Sequence, residues 1–183
     1  MSNTLRLKLI NYVAQKKASN TSGFTLVELI VVVVIIGILS AIAIPSFNNA
    51  SDKAKQKEAS TLLASYAKAA QAFYTENSVV ATTVSDLTGY ITVAGCGTNV
   101  ITDCKNTQEA VTGDRTSWSS PTGMYAITMS STQNQTAFTA APNWNGYPVA
   151  SVFCTSTGST ILNEGSTKRD SNGAPTIPTC PTP

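Results

Sequence analysis

The sequence contains no histidine. The commonest general base and the commonest metal ligand are therefore both missing. Charged residues make up 12% of the chain, about half the share typical of a soluble domain. Four cysteines are present, but none are spaced as C-x-x-C, so nothing supports a zinc site. No nucleophile motif and no constellation of paired carboxylates is visible. The chain is read as a non-enzyme without a cofactor. Its formal net charge of +2 is no nucleic-acid footprint. A mean hydropathy of +0.04 is too apolar for a wholly disordered chain.

What charge there is falls unevenly. Residues 1–23 hold Arg6, Lys8, Lys16 and Lys17 and no acid. The rest of the 183 residues hold eight bases and ten acids. A basic peptide precedes a slightly acidic protein, which points to targeting. The length fits one domain with an appendage.

From Leu29 to Ile44 the chain reads LIVVVVIIGILSAIAI. From Phe24 to Phe47 the only ionisable side chain is Glu28. As a helix this stretch would span roughly 36 Å, enough to cross a hydrocarbon core of about 30 Å. It is too long for a strand, despite four consecutive valines. The basic flank places residues 1–23 in the cytoplasm and everything beyond Pro45 outside. Lys53, Lys55 and Lys57 oppose that orientation, with Asp52 and Glu58 diluting them. Three readings remain open on these grounds. One is a secretory signal peptide cut after Ala41-Ile42-Ala43, the second a permanent anchor, the third a precursor cut ahead of its apolar helix. The long polar stretch before the apolar run favours the last two.

The junction reads Gly23-Phe24-Thr25-Leu26-Val27-Glu28, with Gly37 and Ile44-Pro45-Ser46-Phe47 downstream. It resembles the N-terminus of a type IV pilin, and the long leader resembles those of cyanobacterial pilins. The resemblance implies cleavage between Gly23 and Phe24 by a membrane prepilin peptidase, then N-methylation of Phe24. It implies a role in assembly for Glu28, Gly37 and Pro45. A carboxylate at bilayer depth costs on the order of 2.5–3.5 kcal/mol, so Glu28 calls for a partner. The amine of Phe24 on a neighbouring subunit would supply one and set the register of the filament. A negative charge in the first helical turn, or a pair with its own amine, would also account for Glu28. Pro45 removes a helix hydrogen bond and should kink or locally melt the helix. Gly37 weakens the helix further upstream.

Beyond Pro45 the spacing becomes amphipathic. Ala59, Leu62, Leu63, Tyr66, Ala69, Ala70 and Phe73 form one stripe, and the helix should end near Asn77. Helix from Phe24 to Asn77 would be about 80 Å long, and its apolar half needs a membrane or other copies of itself. From Ser78 onward Ser, Thr, Gly and Asn alternate with short apolar runs. Tyr90–Val93, Met124–Met129, Ala137–Ala140 and Ala150–Phe153 read as strands. The middle pair resembles the hairpin of pilin heads. Ser119–Gly123 and Asn143–Gly146 read as turns, and Ala174–Pro183 as an extended tail.

All four cysteines lie in this head, which implies disulfides formed in an oxidising compartment. Three pairings are possible. The expected one is Cys96–Cys104 with Cys154–Cys180, the second similar to the disulfide-bounded loop of many pilins. Asp170–Gly173 faintly resembles a calcium loop but lacks the closing glutamate, so a turn is expected. Asn49-Ala50-Ser51 and Asn134-Gln135-Thr136 match the glycosylation sequon. Lys105, Arg115, Lys168 and Arg169 form no clear basic stripe, so nucleic-acid contact stays an open question.

The expected fold class is α+β: a long N-terminal helix packed on a small antiparallel β-sheet head with disulfides. Four segments are expected. Residues 1–23 form a removable leader and 24–47 an apolar transmembrane or filament-core helix. Residues 48–77 continue that helix amphipathically, and 78–183 form an exported head. The resemblance implies a structural pilin that forms a homo-oligomeric filament. The precursor would sit in the inner membrane and the filament outside the cell. Its partners would be the membrane, a prepilin peptidase, an inner-membrane assembly platform and an ATPase. A pseudopilin of a type II secretion system shares the N-terminal motif and is the nearest alternative. A membrane-anchored or secreted binding module is an alternative of another class.

Overall fold

The computed structural model describes residues 23–95, 109–168 and 175–182. The leader up to residue 22, Cys96, Cys104, Lys105, Arg169 and the Asp170–Gly173 segment lie outside the described residues. The chain divides into two units, Met1–Ser46 and Phe47–Pro183. Helix α1, Leu26–Asn77, passes through the division without interruption. The helix is continuous through Gly37 and Pro45, so the proline's lost hydrogen bond does not melt it here.

In the first unit the apolar residues of α1 are exposed, and the helix is long and apolar enough to cross a membrane.

The second unit is built on the other half of α1. Gln56, Ala59, Ser60, Leu63, Tyr66, Ala67, Ala69 and Ala70 are its buried residues. Their three- and four-residue spacing is that of one helix face, and the alanines let the sheet approach closely. Leu62 and Phe73, expected in the same stripe, are partly buried against it. The helix ends at Asn77, followed by Ser78 at φ 56°. A single turn, α2 (Val84–Leu87), follows, with Val84 and Leu87 buried.

Two short strands, β1 (Ala94–Gly95) and β2 (Glu109–Ala110), pair antiparallel. The main sheet has five antiparallel strands in sequence order: β3 (Ser117–Ser119), β4 (Tyr125–Thr132), β5 (Gln135–Pro142), β6 (Val149–Cys154) and β7 (Ser159–Glu164). The β4–β5 hairpin pairs Ile127 with Ala140 and Thr128 with Thr139. Three of the expected strands are therefore present: β5 and β6 extend past the expected bounds at both ends, and β4 leaves Met124 outside and runs on to Thr132. Tyr90–Val93 is not a strand. The amides of Tyr90 and Ile91 both donate to Leu87 O at 3.0 Å, so helix capping captures this apolar run before sheet pairing can. Strand β1 begins at Ala94, next to Val93, whose carbonyl accepts from the Val111 amide at 2.7 Å. Gly95 is required there, since a Cβ would lie 2.3 Å from the carbonyl oxygen of Ser119.

Tyr125, Ile127, Met129, Phe138, Val149 and Phe153 form the core with the helix, closed by Trp118. Tyr66 meets Trp118 edge-on at 5.6 Å and Phe138 at 5.9 Å. Ala137, Val152 and Cys154 form a second cluster with Ile161, Ile177 and Cys180. Residues 175–182 carry no helix or strand and cover that cluster as a strap. The Cys154–Cys180 disulfide, with a Cα separation of 5.6 Å, fixes the strap to β6. Strand β6 is thus packed on both faces, and all six of its residues are buried.

Candidate assembly site

Gly23, Phe24 and Thr25 precede the helix and are exposed. A Cβ on Gly23 would meet nothing within 4 Å, so no packing among the described residues demands glycine there. Phe24 is 82% exposed.

Thr25 and Glu28 start the helix together. The amide of Thr25 donates to Glu28 Oε2 at 3.0 Å, and its hydroxyl donates to the same oxygen at 2.9 Å. In return the Glu28 amide donates to Thr25 Oγ1 at 3.2 Å. The two side chains form a reciprocal capping box, satisfying backbone donors that the first turn would otherwise leave open. Thr25 was not singled out from the sequence, although Thr-x-x-Glu before an apolar run is a legible capping signal.

Gly37 has open space where a side chain would be. Pro45 and Phe47 lie in helix, with Phe47 74% exposed. Glu28, Gly37 and Pro45 are strung along one helix, and no fold contact brings them together. The chemistry they offer a partner is an apolar helical surface with one carboxylate near its start.

Within the head, three ion pairs are formed among the described residues: Lys55–Asp52, Lys57–Glu164 and Lys168–Asp52. Lys168, a candidate phosphate contact, donates to Asp52 Oδ2 at 2.7 Å and lies 5.7 Å from the Tyr147 ring. Trp144 Nε1 donates to Asp52 Oδ1 at 3.3 Å. The Lys168 hydrogen bond is the main reason the Asp52 carboxyl sits below its usual range, with Trp144 and Lys55 adding to it against a burial penalty. The same bond raises the Lys168 ammonium. Lys57 reaches Glu164 at 2.6 Å and holds that carboxyl low. In the Asn134 sequon, Asn134 is exposed, but Thr136 is buried and donates to Ala81 O at 3.0 Å. Trp118 is fully buried in the core, and Trp144 packs edge-on against Tyr125 at 5.1 Å.

The prokaryotic N-terminal methylation motif matches residues 18–44. This is a prepilin-type N-terminus, joined here to an α+β head. The chain is similar to the type IV major pilin protein PilA of Myxococcus xanthus, with 52% identity over 54 residues, 30% of this chain and 24% of that protein. It is similar to the type IV narrow pilus major component PilA5 of Thermus thermophilus, with 62% identity over 34 residues, 19% of this chain and 29% of that protein. It also resembles the type II secretion system core protein G of Vibrio cholerae, with 38% identity over 77 residues, 42% of this chain and 53% of that protein. The chain thus matches no more than about half the length of these relatives. No solved structure matches it.

Proposed function

We propose that the chain is the structural subunit of a type IV pilus. The observation that carries this reading is the prepilin-type segment on a helix whose large apolar residues, from Leu26 to Phe47, are exposed among the described residues. Such a surface is stable in lipid or among copies of itself. The precursor sits in the inner membrane, with its head outside the cytoplasm. A prepilin peptidase cuts between Gly23 and Phe24 and methylates the new amine. An assembly platform and its ATPase then move the helix from lipid into a filament core.

In that core Glu28 meets the Phe24 amine of a neighbouring subunit, and the pair sets axial register. Gly37 and Pro45 supply the weak points at which the helix adapts to the filament lattice. The head, with Cys96–Cys104 as its further disulfide, faces the outside. The second reading, a pseudopilin of a secretion system, is favoured by the similarity to core protein G, the longest of the three matches.

The deciding experiment is N-terminal sequencing and mass analysis of filaments sheared from the cell surface. A methylated Phe24 start in surface filaments supports the pilin. The same start in protein that stays with the cell envelope supports the pseudopilin. A start at Ile44 removes both.

A further inference from the structure

Helix α1 first engages the rest of the head several residues after Pro45. Residues 47–50 are exposed, and no described hydrogen bond or ion pair ties residues 47–51 to another part of the head. The first ties fall at Asp52 and Gln56, one helical turn apart and therefore on one face. Asp52 accepts from Trp144 at 3.3 Å and from Lys168 at 2.7 Å. Gln56, only 5% exposed, donates from Nε2 to the carbonyl oxygens of Pro148 at 3.3 Å and Gly165 at 2.8 Å.

These bonds gather two loops. One joins β5 to β6 and carries Trp144, Tyr147 and Pro148. The other follows β7 and carries Gly165 and Lys168. The loops are also bonded to each other, since the Gly165 amide donates to Pro148 O at 2.9 Å. Their packing is close: a Cβ on Gly165 would lie 2.8 Å from the Pro148 ring. Lys55 adds its ammonium 5.0 Å from the Trp144 ring and 3.7 Å from Asp52.

Upstream the helix is held differently. Pro45 supplies no amide, and the large apolar residues of the helix before it are exposed among the described residues. Most helical stability in proteins comes from tertiary packing, so this stretch depends on whatever surrounds it. A break begun at Pro45 could run toward the head by fraying one residue at a time.

We propose that Asp52 and Gln56 form a clamp that stops such a break. Helix residues from Leu26 to Ser51 change conformation with their surroundings, while the head keeps its loops and its helix from Asp52 onward. The clamp lies within the head and stands whether or not the chain builds a filament.

Hydrogen exchange on the mature chain in detergent micelles tests this. In the unaltered protein, protection should begin at about Asp52. In Asp52→Ala/Gln56→Ala, exchange over residues 49–60 should rise about tenfold or more, with β4–β6 nearly unchanged. Adding Pro45→Ala to that variant should restore protection. Unchanged exchange over 49–60, an equal rise throughout β4–β6, or no restoration by Pro45→Ala would each overturn the clamp. If the double variant does not fold, Lys168→Gln gives the same readout with one tie removed.

Discussion

Lys168 Nζ stands 2.7 Å from Asp52 Oδ2, joining the loop after β7 to a helix residue 116 positions earlier. The pair is partly shielded, with the Asp52 side chain only 14% exposed. It gives the head a definite acid response. The Asp52 carboxyl is lowered from 3.8, first by Lys168. A lowered carboxyl stabilises the fold fully above its unfolded value and loses that contribution as pH falls through the folded value. Glu164 behaves alike through Lys57. Urea melts of the head should therefore be flat from about pH 7 to 5 and weaken below about pH 4. Asp52→Asn should reduce that acid slope. A slope identical to the unaltered protein would show that the pair does not carry it.

Glu28 has two possible tasks, and one pair of variants separates them. Glutamine can replace glutamate in a capping box, so Glu28→Gln keeps the bonds to Thr25 but removes the charge. If register depends on a carboxylate meeting an amine, Glu28→Gln and Glu28→Ala should both enter the membrane, be trimmed, and give few filaments. Normal filaments from Glu28→Gln, counted by electron microscopy, would assign the residue to helix capping alone.

The strap over the outer sheet face should loosen on reduction. The Cys154–Cys180 bridge closes a separation of 26 residues, and losing it should cost about 2–4 kcal/mol. Denaturant unfolding of Cys154→Ser/Cys180→Ser would measure this. A loss below about 0.5 kcal/mol would mean that Ile177 and its neighbours hold the strap unaided.

Leu63 is fully buried, and its carbonyl accepts from Ser151 Oγ at 2.9 Å. Leu63→Ala should destabilise the head by about 2–5 kcal/mol, measured as a shift in denaturation midpoint. Trimming at Gly23 should be unaffected, because that segment lies in the other unit.

The long helix was legible because one stripe from Ala59 to Phe73 keeps helical spacing up to Asn77. The β4–β5 hairpin was legible from its apolar runs together with the resemblance of that pair to the hairpin of pilin heads. Strands β3 and β7 were not: SWS and STILNE are polar sequences at the two edges of the sheet, where one neighbour is enough. Tyr90–Val93 misled in the other direction, since its apolar character serves the core without entering the sheet.

The prepilin-type motif is one continuous stretch of sequence, residues 18–44, and could be read directly. Asp52 and Gln56 could not, because their partners come from loops about 90 to 116 positions away and only folding brings them close.

The double coverage of β6 also decides where this protein can evolve. Its six residues answer to the helix on one side and the strap on the other, so drift there disturbs two packings at once. Variation is freer at exposed turn positions such as Gln133 and Asn134. A change at such positions alters the exposed surface of the head and leaves its interior as it is.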